Sequence, residues 1–232
     1  MTSPCILALD TATEVCSVAL LSAGAIAARS ERVGQQHSER ALPMVDDVLR
    51  EAGVALADVD FIAFGAGPGS FTGLRIACGL AQGLAWGVGK PVIPVGNLHA
   101  LAARLFSEAP DVSTVLCAID ARMHEAYCAV YRRGADPVEV LGPSLARSDQ
   151  LSELARGVDA VAGDALTVFP DVWGGAPSRR FPLMRADASD IARVASTSAG
   201  LARAVEAAAA APLYVRDQVA LTTAERRARA AA

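Results

Sequence analysis

FIAFGAGPGSFTGLRIACGLAQGLAWGV, residues 61–88, opens as a short apolar run, passes through a glycine-dense turn at Gly65, Gly67 and Gly69, and enters a helical pattern near Thr72. A strand feeding a glycine turn feeding a helix points free backbone N–H groups at whatever lies beyond the turn, because the first turn of a helix leaves its donors unpaired. That shape suits an anion. The side chains that would add known phosphate chemistry are missing. No Gly-Lys-Ser/Thr follows, so the lysine of a Walker A loop is absent, and Gly65-x-Gly67 lacks the third glycine of a dinucleotide fingerprint. In Gly69-Ser70-Phe71-Thr72-Gly73 the serine is misplaced for a nucleophile elbow, so Ser70 reads as the cap of the helix.

The helix itself carries a second signal. Gly79, Gly83 and Gly87 recur every fourth residue, interleaved with Ala77, Ala81 and Ala85. Each interior glycine costs about 1 kcal/mol relative to alanine, so close approach of another backbone is expected to offset it. That backbone is either this chain's own sheet or a partner helix, the latter being the 41–52 helix or one from another subunit.

Upstream, Cys5–Asp10 alternates little and is rich in aliphatics, as in a central strand buried on both faces, and ends in Asp10 before the turn Thr11-Ala12-Thr13. Strands at 15–21 and 25–31 continue as a meander. Apolar positions 41, 42, 45, 48, 49 and 52 form a helical stripe closed by Gly53; Pro43 is tolerated only in a first turn, which predicts a regular start near Leu42. Downstream, PVIPVG is a short strand and Asn97 is predicted to cap a helix to about Ser107. The rest reads as strands at 138–141 and 160–163, a helix capped by Ser148, and an Ala-rich helix from Ser189 to about Ala210, ended by Pro212.

TVLCAIDARMHEAYCAVYR, residues 114–132, repeats the plan of CILALDTATEVCSVALL, residues 5–21: an apolar strand ending in Asp, a short turn and a second strand. Two copies suggest a duplicated α/β fold with two lobes facing a cleft; two unrelated hairpins would give the same pattern. Asp10 and Asp120 would then face each other across the cleft, suited either to a Mg²⁺-phosphate or to hydrogen-bonding their own turns. With the glycine turn they make a candidate anion- or nucleotide-binding set of Asp10, Gly67, Gly69, Ser70, Thr72 and Asp120.

The chain has 232 residues, 53% hydrophobic and 20% charged, with a net charge of −4. This balance fits a compact soluble protein and argues against nucleic-acid binding through a broad basic face of its own. Arg75 and Gln82 interrupt the best apolar run short of the ~20 residues a membrane helix needs, and MTSPCILALD lacks the basic and apolar regions of a secretory signal. Five cysteines without a C-x-x-C pair read as buried thiols of a cytoplasmic protein, and the scattered His37, His99 and His124 offer no zinc spacing. The basic tail AERRARAAA reads as a solvated helix end.

GPGSFTGLRIACGLAQGLAW, together with LALDTAT, HSERALPMVDDVL, KPVIPVGNLHALA and PLYVRDQVA in that order, resembles the bacterial TsaB (YeaZ) family of tRNA threonylcarbamoyladenosine (t6A) biosynthesis. The resemblance implies an actin/Hsp70/sugar-kinase-like fold with two duplicated lobes, the second truncated: 1–105, a shorter 106–220, and a tail, 221–232. It implies a non-catalytic scaffold or activating subunit that pairs with a larger paralogue, TsaD, and works with the ATPase TsaE. Their complex transfers threonylcarbamoyl to N6 of adenosine 37 in tRNAs reading ANN codons. By the same resemblance the chain alone binds no cofactor, ATP and a metal are used by the partner subunits, and tRNA is met only through the complex.

The catalytic paralogue carries an N-H-x-x-x-H metal pair where this chain has Asn97 and Leu101. Leucine cannot coordinate a metal, so no catalytic or metal-ligating residue is expected here. Little chain beyond Pro212 remains to build an adenosine pocket. The glycine-punctuated helix then becomes the expected association surface, with Leu74, Arg75, Cys78, Gly79 and Gln82 beside Met44 and Asp47 of the preceding helix, and a homodimer could use the same patch. The competing readings are a metal-dependent glycopeptidase and a stand-alone nucleotide hydrolase built on Asp10 and Asp120.

Overall fold

The computed structural model describes residues 3–216. The end of the PLYVRDQVA block and the basic tail lie outside the described residues. The first sheet is built from β1 (Ile6–Asp10), β2 (Val15–Ser22), β3 (Ala25–Arg32), β4 (Phe61–Gly67) and β5 (Val92–Gly96), in the order β3-β2-β1-β4-β5. β1, β2 and β3 form an antiparallel meander, and β4 and β5 run parallel to β1. Between them come α1 (His37–Ala52) and α2 (Phe71–Val88), followed by α3 (Asn97–Glu108).

The second sheet repeats the plan with β6 (Thr114–Asp120), β7 (Ala126–Arg132), β8 (Val138–Ala146), β9 (Ala160–Ala162) and β10 (Arg179–Phe181), ordered β10-β9-β6-β7-β8. Again the first three strands are antiparallel and the last two parallel. The helices here are short: α4 (Ser148–Ala155) and α5 (Ala165–Val168), then α6 (Ala188–Ser196) and α7 (Ser198–Leu201). The strand, Asp, turn, strand repeat is therefore a repeat of sheet topology, and the fold is of the actin/Hsp70/sugar-kinase type.

Every residue of β1 is buried, because both faces of the first sheet are covered. Leu7 and Leu9 face α1 and α2, packing with Val45, Val48, Ala77 and Ala81. Ile6 and Ala8 face α6, packing with Ile191, Val194 and Ala195. α3 leaves the first sheet to pack Leu101, Leu105 and Phe106 on Val115, Cys117 and Tyr131 of the second. The opposite face of the second sheet is closed by α4, α5 and the buried Trp173. All five cysteines are free, and four are buried.

Four local expectations need correction. α1 begins at His37, not near Leu42, and Pro43 lies inside it. The early start is anchored from outside the helix, since His37 Nε2 lies 2.8 Å from Thr13 O. Asn97 does not cap α3: Gly96 precedes the helix, and the Asn97 side chain is engaged elsewhere. Ser148 is the first residue of α4, whose entry is held by Arg147 N donating to Gln150 Oε1 at 2.9 Å. The Ala-rich helix stops at Ser196 because the Thr197 hydroxyl accepts from Gly200 N and caps α7; beyond it Val205 pairs with Val92 as an isolated antiparallel bridge.

Candidate functional site

Between the two sheets opens a cleft of about 890 Å³ whose lining includes Asp10, Ser70, Asn97, Asp120, Arg185 and Arg216. Its floor starts at the end of β1. Asp10, 2% exposed, accepts from Ala12 N at 3.0 Å and from Asn97 Nδ2 at 3.1 Å through the same oxygen. Burial pushes its pKa up to about 6, against the lowering effect of those two hydrogen bonds. Asn97 Oδ1 in turn accepts from Gly67 N at 2.7 Å. One side-chain amide thus ties the end of β1 to the glycine turn. Gly65 is required beneath it, because a Cβ there would lie 2.5 Å from Asp10 Oδ1 and 2.9 Å from Asn97 Nδ2.

The glycine turn sits directly on the turn after β1. Thr11 Oγ1 donates to Gly73 O at 2.6 Å, Ser70 N donates to Ala12 O at 2.8 Å, and any Cβ at Gly73 would overlap Thr11 O. Ser70 is the cap of α2, its Oγ accepting from Gly73 N at 3.4 Å. The amides of Gly67, Ser70 and Gly73 are therefore spent within the chain, which leaves the expected anion cradle with fewer donors than its outline suggested. Gly69 and the exposed Thr72 line the cleft beside them.

Asp120 repeats the geometry of Asp10 at the end of β6. Its Oδ1 accepts from Arg122 N at 2.8 Å, as Asp10 accepts from Ala12 N, and its Oδ2 lies 3.1 Å from the Arg122 guanidinium. Both carboxylates hold the turn that follows them. Among the described residues, no three His, Cys, Asp or Glu side chains are grouped so as to hold a metal ion. Leu101 and Asn97, at the positions of the paralogue's ligand pair, both line the cleft.

Ion pairs and a chain segment close the cleft from the sides. Arg185 contacts Glu14 and lies 4.0 Å from Asp164, which itself accepts from Asp120 N at 2.8 Å. Leu213 N donates to Ala66 O at 2.7 Å, Arg75 Nε donates to Tyr214 Oη at 3.1 Å, and Arg216 pairs with Glu125 at 2.8 Å. Glu14, Glu125 and Arg185 carry no local sequence pattern, and PLYVRDQVA marks Tyr214 and Arg216 only as part of the family resemblance; their contacts here are with residues far away in the chain.

The residues expected at an association surface divide in two. Met44, Leu74 and Cys78 are buried within this chain. Cys78 Sγ and Gln82 Nε2 both donate to Ala210 O, at 3.5 and 3.0 Å, and Asp47 pairs with Arg50 at 2.9 Å. Arg75 is exposed, its guanidinium 4.0 Å from the centre of the Phe71 ring. Gly79, Gly83 and Gly87 are also exposed, and a Cβ at any of them would meet nothing within 4 Å. The glycine repeat therefore faces away from the chain's own sheet and from α1. Beside it stand the exposed Phe71 and Trp86, the latter 76% exposed. No described helix is long and apolar enough to cross a membrane.

Residues 29–224 match the family model described as TsaD: tRNA N6-adenosine threonylcarbamoyltransferase. The tRNA threonylcarbamoyladenosine biosynthesis protein TsaB of Escherichia coli is 38% identical over 226 residues, 93% of this chain and 96% of that protein. The TsaB protein of Haemophilus influenzae is 52% identical over 122 residues, 53% of this chain and 51% of that one. The solved structure of YeaZ from Pseudomonas aeruginosa superposes with a TM-score of 0.82 at 36% identity, covering 91% of this chain and 99% of that one. A second Pseudomonas aeruginosa structure, described as an uncharacterized protein with similarity to peptidase YEAZ, gives 0.85 at 38% identity, covering 92% and 100%. With its duplicated sheets, its cleft and its glycine turn, the chain belongs to the TsaB (YeaZ) family of tRNA threonylcarbamoyladenosine biosynthesis proteins.

Proposed function

We propose that the chain is a non-catalytic subunit of the complex that transfers threonylcarbamoyl to N6 of adenosine 37 in ANN-decoding tRNAs. In this reading it pairs with a TsaD-type larger paralogue, works with a TsaE-type ATPase, and meets tRNA only through them, in the cytoplasm. The observation that carries the reading is the outward glycine face of α2. Gly79, Gly83 and Gly87 each weaken the helix and none makes room for this chain's own atoms, so their cost is offset only when another backbone lies on them. Phe71 and Trp86 supply apolar contact beside that strip, and Arg75 a charged one. Burial of Met44, Leu74 and Cys78 supports a supporting role for them, holding α2 in place from beneath.

A role without its own chemistry is supported by how the cleft is used. Asp10, Asn97, Ser70 and Asp120 are engaged in holding turns, and Ser70 as a helix cap is a poor nucleophile for a peptidase. In this reading ATP and a metal are used by the partners, and this chain's part is to shape them by contact. A homodimer through the same strip would compete with the heterodimer. Gel filtration of the paralogue mixed with Gly79→Leu tests the surface. Loss of co-elution by a folded variant is the expected result; co-elution equal to that of the unsubstituted chain would remove the α2 face from the account.

A further inference from the structure

The segment from Ala210 to Arg216 connects the two halves of the cleft. At one end Ala210 O is held by Cys78 and Gln82 of α2. Leu213 N then joins Ala66 O, and the Tyr214 ring packs on Phe71 with centroids 5.5 Å apart while its hydroxyl accepts from Arg75. At the other end Arg216, its side chain 15% exposed, donates to Ala121 O at 3.0 Å, pairs with Glu125 and lies 3.2 Å from Met123 Sδ. Those contacts fall on the turn between β6 and β7. Arg122, Met123 and His124 there all have φ between +55° and +65°, a left-handed conformation that side chains rarely adopt and that surrounding contacts must hold.

We propose that residues 210–216 act as a strap that couples the first turns of α2 to the 121–125 turn, with the Arg75–Tyr214 hydrogen bond as its releasable catch. Leu213 to Arg216 reaches ~10 Å even fully extended, so a shift of Tyr214 has little slack to disappear into before it pulls on Arg216. Arg75 makes no hydrogen bond or ion pair with the 121–125 turn among the described contacts; the strap is its route there. Arg75 is also exposed on the face read above as the association surface. A partner group that takes the guanidinium competes with Tyr214 and would thereby loosen the far wall of the cleft. That last step rests on the proposed function; the coupling itself does not.

Hydrogen–deuterium exchange on the full chain, without a partner, tests the coupling. The amides of Ala121 and Glu125 are bonded within the turn and report its opening. Arg216→Ala removes the far anchor directly and should speed exchange at 121–125. Arg75→Ala and Tyr214→Phe should speed it too, by about five-fold for loss of one ordinary hydrogen bond, with β1 and β6 unchanged. Wild-type exchange at 121–125 in both Arg75→Ala and Tyr214→Phe would overturn the proposal, as would an Arg216→Ala variant that leaves the turn unaffected. If Arg75→Ala does not fold, Tyr214→Phe, which removes a single oxygen, carries the test. Failure here leaves the association surface standing, and undiminished co-elution of Gly79→Leu, which would remove that surface, leaves the strap standing.

Discussion

The carboxylate of Asp10 and the side-chain amide of Asn97 meet at 3.1 Å, at the point where β1, the glycine turn and the start of α3 converge. Asn97 donates to Asp10 and accepts from Gly67, so its one amide satisfies groups on two strands of the first sheet, both buried. Asn97→Ala leaves both without that partner. The expected loss is about 2–4 kcal/mol, the cost of the buried Gly67 amide left unpaired plus one hydrogen bond lost at Asp10, which keeps Ala12 N, read as a lower urea midpoint with an unchanged m-value.

Asp10 also gives the fold a pH dependence of definite sign. Its native pKa is about 6, raised by burial, whereas an unfolded aspartate titrates near 3.9. The native state therefore holds this proton more tightly than the unfolded chain. The resulting stabilisation is complete below about pH 4 and is lost as the pH rises through 6. Asp10→Asn keeps the acceptor for Ala12 and Asn97 but removes the titration. The stability of the wild type minus that of Asp10→Asn should fall by about 1–3 kcal/mol between pH 4.5 and 7.5, measured by urea denaturation at both values. Asp190, also raised to about 6 by burial, contributes with the same sign and is common to both proteins.

The same substitution should act oppositely at two glycines. At Gly65 an added methyl runs into Asp10 and Asn97, and overpacking of this kind costs about 1–3 kcal/mol. At Gly79 it meets open space on an exposed helix face, where Gly→Ala gains about 0.5–1 kcal/mol. Thermal unfolding of Gly65→Ala and Gly79→Ala should therefore show melting temperatures shifted down and up respectively. A downward shift at Gly79 would mean that its face is packed within the chain.

The elements legible in the sequence were those set by neighbours in the chain. β1 and β6 announce themselves as largely apolar runs ending in Asp, Ser70 and Gly53 mark helix ends by local chemistry, and the resemblance carried by GPGSFTGLR gave the family and its fold. What was missed depends on partners far off in sequence. Asn97 looked like a cap because asparagine before an apolar stripe usually is one, yet its partners stand at positions 10 and 67. Arg133 carried no visible role, though its guanidinium collects the carbonyls of Phe106, Ala109 and Val112 at the end of α3. The Ala-rich run beyond Ser196 has the propensity to stay helical. The Thr197 cap and the Val205–Val92 bridge override it.

The periodicity of glycines on α2 was legible, but not which way it faces. Both an inward and an outward strip fit the spacing, and only the packing of Leu74, Ala77, Cys78, Ala81 and Ala85 against the core turns the glycines out. Likewise the outline of an anion cradle was visible at residues 65–73, whereas its internal use was not, because Thr11, Ala12 and Asn97 come from elsewhere in the chain.

The most direct test of the central claim is threonylcarbamoyl transfer from its adenylate to an ANN-decoding tRNA, reconstituted from the larger paralogue and the ATPase, with this chain, without it, and with its Gly79→Leu variant. Incorporation that requires the chain, is absent from the chain alone, and falls at least ten-fold with folded Gly79→Leu is the predicted result, corresponding to about 1.4 kcal/mol or more of lost association at limiting concentration. Full incorporation without the chain, or undiminished incorporation with Gly79→Leu, would contradict it.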